Sequence, residues 1–292
     1  MNGVLNIFKP KGMSSFDVVR VVKKVAGTGK VGHTGTLDPE ATGVLPICIG
    51  RATKIIDYIM NSEKVYEVTF KLGIRTTTYD LEGDVLEERD TTNVKDEEIL
   101  EAIKSFIGEY SQVPPMYSAL KKNGVRLYEL ARQGIEVERE GRLITIYNLE
   151  DIKIENPFVS MKVTCSKGTY IRSLCYDIGE KLDVFATMTE LNRAKTSVFS
   201  QEESININDL TKENISNHIL TMEEALNKYD KITVHGKYVK LLVNGVRVGD
   251  NRFTKDKVIN NKLYRVYDDN NNFIGLGEKN DCGFKIEKLL IT

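Results

Sequence analysis

Gly32-His33-Thr34-Gly35-Thr36-Leu37-Asp38-Pro39-Glu40-Ala41-Thr42-Gly43-Val44-Leu45-Pro46 is the stretch on which the rest of the chain turns. Glycine opens backbone conformations that other residues avoid. Proline fixes its own φ and restricts the residue before it, which here is Asp38. Asp38 therefore sits on a stiff, irregular backbone rather than on a surface helix. Judged alone, an Asp-Pro of this kind is an ordinary turn in which the aspartate caps the backbone. What surrounds it in the chain decides whether it is more.

The chain has 292 residues, 41% hydrophobic and 28% charged, which suits a soluble globular protein of one large and one small domain. No apolar run approaches the ~18 residues of a membrane span, and Met1-Asn2-Gly3-Val4-Leu5-Asn6 lacks the build of a signal peptide. Cys48, Cys165, Cys175 and Cys282 are scattered, which points to the cytoplasm and away from a zinc site. Net charge is −1, but from Tyr229 onward twelve Lys/Arg face eight Asp/Glu. A basic tail on a mildly acidic body hints at a polyanionic partner.

Working outward, Gly3–Gly12 reads as a short strand closed by a Pro/Gly turn. Ser14 with Asp17 forms a capping box, Val18, Val19, Val22 and Val25 follow at helical spacing, and Gly27 stops the helix. Gly27-Thr28-Gly29-Lys30 imitates the end of a phosphate-binding loop, but Val31 and Lys24 break the pattern. Residues 64–72 alternate, with Tyr66, Val68, Phe70 and Leu72 on the buried face. By itself Tyr66 is a core tyrosine. Residues 75–90 read as a polar, turn-rich excursion, and 95–107 as an amphipathic helix through Ile99, Ala102, Ile103 and Phe106.

Residues 111–134 open on Pro114-Pro115 and then interleave tyrosines with Lys121, Lys122, Arg126 and Arg132. Aromatics that stack and cations that meet phosphate suit an RNA loop, and a solvated basic helix face fits equally well. Residues 158–166 alternate as a strand, and a helix follows from Thr169 to Leu182 with Tyr170 and Arg172 in its first turn. Such an arginine, taken singly, is a surface ion-pair partner. Residues 200–228 read as a connector with a short helix near Met222. From Tyr229 short strands make a small β-rich domain, with a hairpin at 262–267 and 273–277.

Taken together these blocks resemble the TruB family of tRNA pseudouridine-55 synthases. The aspartate motif is Gly32–Pro39 with Gly43–Pro46, and Lys9-Pro10-Lys11-Gly12 with Ser14-Ser15 matches the family's lysine-proline motif. Lys64-Val65-Tyr66 matches its strand tyrosine. Gln112–Ala119 with Arg126-Leu127-Tyr128-Glu129 matches its RNA-clasping segment, and Gly168-Thr169-Tyr170-Ile171-Arg172 its tyrosine–arginine motif. Where the family often has Leu-Arg-Arg followed by a glycine and an aromatic, this chain has Leu191-Asn192-Arg193 and then Ser197, so the carry-over stops at Leu191.

The resemblance implies an α+β pseudouridine synthase catalytic domain over 1–228, a mixed but largely antiparallel sheet with flanking helices, with an RNA-clasping insertion at about 106–147. It implies a small PUA-like module at 229–292. It also implies conversion of uridine-55 in the tRNA T loop by base flipping, without cofactor or metal. Asp38, Tyr66 and Arg172 become the catalytic set, and His33, Tyr66, Tyr170 and Leu191 the substrate contacts. His33 would fill the place the base vacates, and Arg172 would balance the buried Asp38. The expected partner is the T arm of tRNA, met by a monomer with no membrane and no required protein partner.

Three rivals stand beside this reading. A guide-RNA-dependent synthase shares the aspartate motif but lacks the full clasp. A tRNA-folding chaperone would bind without chemistry. An aspartyl-phosphate hydrolase would need a second acid for magnesium, and only Glu40 lies near Asp38 in sequence.

Overall fold

The computed structural model describes residues 1–291. Its centre is an eleven-stranded mixed sheet. The main path runs Ile205–Asn206, Gly3–Lys9, Thr42–Ile49, Ala186–Thr196, Lys64–Leu72, Phe158–Cys165, Arg142–Glu155 and Gly108–Gln112. Most pairs are antiparallel. The Thr42–Ile49 and Ala186–Thr196 strands run parallel and pair only at Asn192↔Thr42 and Arg193↔Gly43. The two halves of the sheet therefore meet at a short seam beside the aspartate loop.

Local sequence rules explain the elements around that seam. The Ser15–Ala26 helix starts on Ser14, whose side chain and that of Asp17 complete the capping box, and ends on Gly27 at φ 62°. The Lys64–Leu72 strand buries Tyr66, Val68, Phe70 and Leu72, as its alternation requires. Gly43 has φ 109°, and a Cβ there would lie 2.6 Å from the Arg193 backbone nitrogen. Only glycine lets the two parallel strands approach so closely.

The main core joins the sheet to the Ser15–Ala26, Asp96–Lys104 and Ile171–Lys181 helices through Val18, Val22, Ile99, Ile103, Leu174 and Ile178. A second cluster, with Val4, Cys48, Ile55, Phe199, Leu276 and Leu290, packs the first strands against the end of the chain. From residue 230 onward a separate four-stranded sheet of Asp230–Thr233, Leu263–Tyr267, Phe273–Asn280 and Gly283–Leu289 encloses its own core. The 263–280 hairpin forms where expected, its turn held by the Asp268 carboxylate accepting from the backbone N–H groups of Asn270 and Asn272 at 2.9 and 2.8 Å.

Three sequence expectations are corrected. Residues 200–228 are not a free connector: Ile205–Asn206 and Ile219–Leu220 pair with the first strand and complete the sheet edge. Two-residue strands are too short to show a period. The terminal module is β-rich as expected but adds an α-helix, Gly236–Val243, whose buried side chains are only Tyr238 and Leu242. The 75–90 excursion is no mere polar loop, because it buries Thr76, Thr78 and Asp80.

Candidate active site

Four pieces of backbone converge on Asp38. The loop that carries it is tied to the first helix by Ser15, whose hydroxyl donates to the Leu37 carbonyl at 3.0 Å and accepts from the Leu37 N–H at 2.8 Å. Lys9, fully buried, donates its ammonium to the carbonyls of Pro10, Met13 and Pro39 at 3.0, 2.7 and 2.9 Å. Burial lowers the Lys9 pKa to about 8, against the pull of Asp38 and Glu40. The glycine-rich loop is thus held on both sides of Asp38, by a hydroxyl at Leu37 and a desolvated cation at Pro39.

Arg172 arrives from the start of the Ile171–Lys181 helix and is 7% exposed. Its Nε lies 3.1 Å from an Asp38 carboxylate oxygen and its Nη1 3.1 Å from Asp80. Nη1 also donates to the Thr78 carbonyl at 3.1 Å, and Nη2 to the Tyr117 carbonyl at 2.8 Å. A planar guanidinium fork can serve four such acceptors at once, which an ammonium of fixed reach cannot. Desolvation pushes the Asp38 pKa above the usual carboxylate value, the Arg172 charge opposes it, and the like charge of Asp80 adds to the push.

Asp80 was invisible to sequence reasoning because it lies in a polar turn far along the chain from Asp38. Its backbone and side-chain partners within that turn, Thr76, Thr78 and Glu82, bury it against the strand end. The pairing of two acids also bears on the hydrolase rival. The second acid missing from the sequence is present, but Arg172 occupies the place between the carboxylates where a bridging cation would sit.

Tyr66 lies on the buried face of its strand, opposite Val163 on one side and Arg193 on the other. Desolvation raises its pKa, so the phenol is neutral at ordinary pH. Tyr170 is the residue before the helix, and its backbone is clamped by one side chain. The Gln112 amide oxygen accepts from the Tyr170 N–H at 2.8 Å while its amide nitrogen donates to the Tyr170 carbonyl at 3.1 Å. The clasp motif thus contributes a structural pin at its root, a role its sequence did not reveal. Leu191 lies opposite Val68, and Thr42 spans the seam to the neighbouring Asn192 side chain at 3.1 Å.

His33 ends the Val31–His33 strand, and its Nδ1 accepts from the Gly35 N–H at 3.3 Å. Desolvation and the charge of Arg193 lower its pKa, so the imidazole is neutral. It is held on its own loop rather than bonded to Asp38. Arg193, two positions beyond the limit of the motif carry-over, is 1% exposed and reaches the aspartate loop through three carbonyls.

The clasp differs in kind. The Lys121–Lys122 and Val125–Arg126 strands form a small hairpin whose residues are all exposed, and the Leu127–Arg132 helix buries only Leu127. Arg126 and Arg132 lie 6.0 and 5.5 Å from the Tyr128 ring centroid. Its remaining surface is open to an RNA.

This arrangement is a pseudouridine synthase fold with its aspartate at the seam of the sheet. Solved neighbours agree. An H/ACA ribonucleoprotein bound to a substrate RNA containing 2′-deoxyuridine superposes with TM-score 0.75 at 25% identity, covering 99% of this chain and 85% of that one. A Cbf5–Nop10–Gar1 complex superposes with TM-score 0.75 at 26% identity, covering 98% and 84%. Residues 23–171 match the N-terminal domain of TruB family pseudouridylate synthases, and 172–228 match the tRNA pseudouridylate synthase B C-terminal domain. The tRNA pseudouridine synthase B of Clostridium perfringens (strain SM101 / Type A) is 64% identical over 100% of this chain and 99% of its own length. That of Clostridium tetani is 57% identical over 100% of both. The chain belongs to the TruB family. Among the described residues no helix is long and apolar enough to cross a membrane.

Proposed function

We propose that this protein isomerises uridine-55 of the tRNA T loop to pseudouridine, with Asp38 as the reacting carboxylate. Formation of pseudouridine in tRNA follows from the family and from full-length relatives that carry that name. The single observation that carries the assignment of Asp38 is its contact with the buried Arg172 guanidinium at 3.1 Å, in a loop whose backbone is pinned on both sides. A carboxylate held ionised in a partly desolvated cleft is a competent nucleophile.

The reaction is redox-neutral. The bond from ribose C1′ to uracil N1 breaks, a bond from C1′ to C5 forms, C5 loses its proton and N1 gains one. No electron carrier enters that balance. Attack by Asp38 on C1′, attack on C6, and removal of a sugar proton are three routes the residues allow, and each uses the ionised carboxylate. Arg172 keeps that form populated against desolvation. The target base must first leave its stack, at a cost of a few kcal/mol. Tyr66 stacks on the extruded uracil, Tyr170 and Leu191 line the pocket, and His33 enters the vacated place in the loop. A neutral imidazole suits that insertion, since it carries no charge into a stack.

The clasp at about 106–147 and the basic module at 229–292 hold the T arm from outside, in the cytoplasm where tRNA is processed. The exposed Arg126 and Arg132, which flank the half-buried Tyr128 ring, favour a stand-alone enzyme over the guide-RNA-dependent rival, because they offer the RNA charge beside an aromatic ring. Unmodified tRNA carrying tritium at uracil C5 tests the proposal. Tritium release by the protein and none by Asp38→Asn supports it. Binding without release would falsify it in favour of the chaperone.

A further inference from the structure

Arg193 is the largest side chain among the fully buried ones and makes no ion pair among the described residues. Buried charges are ordinarily paired, because an uncompensated one is costly. Here the guanidinium faces backbone oxygens instead. Nε donates to the Val44 carbonyl at 2.8 Å, Nη2 to Gly35 at 3.3 Å and Nη1 to Thr36 at 3.4 Å. These carbonyls bracket Asp38, two before it and one after. A fold that needed only to fill this space would use an apolar side chain.

The other end of the same residue belongs to the Tyr66 wall. Arg193 is the cross-strand partner of Tyr66, and its charge acts on the Tyr66 hydroxyl. Its backbone also meets Gly43 at the parallel seam, where a Cβ would lie 2.6 Å from the Arg193 nitrogen. The aspartate loop and the tyrosine strand are not adjacent in the sheet. The Ala186–Thr196 strand lies between them, and Arg193 spans that gap.

We propose that Arg193 is a positioning residue for the isomerisation, fixing the Asp38 loop against the Tyr66 strand through a guanidinium shared among three loop carbonyls. It touches no reacting atom. It sets where the Asp38 carboxylate stands relative to the ring that receives the uracil. Lys9 performs the matching task from the opposite side, through Pro39. The loop is thus gripped by two buried cations aimed at carbonyls rather than acids, which leaves Asp38 to Arg172.

The inference rests on Asp38 being the reacting group, so Asp38→Asn is run beside every variant. The full chain carrying Arg193→Lys keeps the charge and loses the fork. Single-turnover tritium release is measured under saturating enzyme, with RNA affinity and thermal midpoint followed on the same samples. The expected result is a rate about 100-fold below wild type, the scale of an ångström misplacement, with affinity within about twofold and the midpoint nearly unchanged. A wild-type rate, or a rate lost only in proportion to folded fraction or affinity, overturns the proposal. If Arg193→Lys does not fold, Gly35→Ala decides, since a side chain at φ 129° strains the backbone whose carbonyl Arg193 Nη2 holds, while the added methyl meets Arg193 Nη1 only at an ordinary 3.6 Å. A slowed rate at unchanged affinity there supports the role, and an unchanged rate removes it. Release by Asp38→Asn would overturn the functional reading itself, separately from Arg193.

Discussion

The aspartate loop and the clasp are both irregular, glycine-bearing and rich in charge, yet they are built on opposite principles. Around Asp38 the cations are buried and spent on fixed acceptors: Lys9 on three carbonyls, Arg193 on three, Arg172 on two carboxylates and two carbonyls. In the clasp, Lys121, Lys122 and Arg126 are exposed and the helix that follows buries one side chain. Charge withdrawn from water orders the protein and pre-sets a geometry. Charge left in water remains free for the phosphates of a partner. On the function proposed above, the first region does the chemistry and the second the gripping.

The largest test of that division is at Arg172. Arg172→Ala leaves Asp38 and Asp80 as uncompensated carboxylates in a desolvated site. It should cost ~3–5 kcal/mol in urea unfolding and abolish tritium release. Wild-type-like stability and turnover in this variant would dissolve the distinction at its strongest point. The clasp supplies the converse. Arg126→Ala with Arg132→Ala should weaken tRNA binding and reduce the slope of log affinity against log salt by about 1 for each phosphate that is no longer neutralised. The rate at saturating RNA should not move. A fall in that rate would mean that the clasp participates in the chemistry.

A subtler test lies in pH. Because Asp38 must be ionised and its pKa is raised by burial and by Asp80, the acid limb of the rate profile should lie above the usual carboxylate range. Activity is lost as pH falls through that limb. Asp80→Asn removes a like charge and releases Arg172 to Asp38, so the limb should move to lower pH whatever happens to the plateau. A limb that stays in place would show that Asp80 does not act on Asp38. The last test lies outside the site and leaves turnover alone. Asp177 is raised to about 7 from an ordinary 3.8, chiefly by burial and secondarily by Glu180. The folded state therefore holds its proton more tightly than the unfolded chain. That stability is fully present below about pH 4 and is lost as pH rises toward about 7. Asp177→Asn should raise the thermal midpoint at about pH 8 and leave it unchanged near pH 4, with turnover intact.

Much of this was legible in the chain. The Ser14 capping box and the alternation of 64–72 are local signals, and each formed the element it predicts, whereas the Pro/Gly stretch 32–46 is irregular only between two strands, Val31–His33 and Thr42–Ile49. Tyr170 and Arg172 likewise stand at the start of their helix. What escaped has a common cause. Asp80 sits in a polar turn, Gln112 at a strand end and Arg193 just beyond the last motif residue, Leu191. None has a periodic or compositional mark, because each works on a backbone or side chain far away in sequence: Arg193 on Gly35, Gln112 on Tyr170, and Asp80 on Arg172. The terminal helix Gly236–Val243 was missed for a different reason, since two buried side chains in eight residues make too faint a stripe.

The family, the loop that carries Asp38 and the residue types the chemistry would use were all readable from the chain, because spacing of glycine, proline and aromatic residues constrains backbone and composition locally. That Arg172 faces two acids rather than one emerged only on folding. So did a buried arginine with no acid of its own holding that loop in place. The reason is physical. The energy of a buried charge depends on every acceptor within a few ångströms, and which acceptors those are is settled only when distant segments have packed.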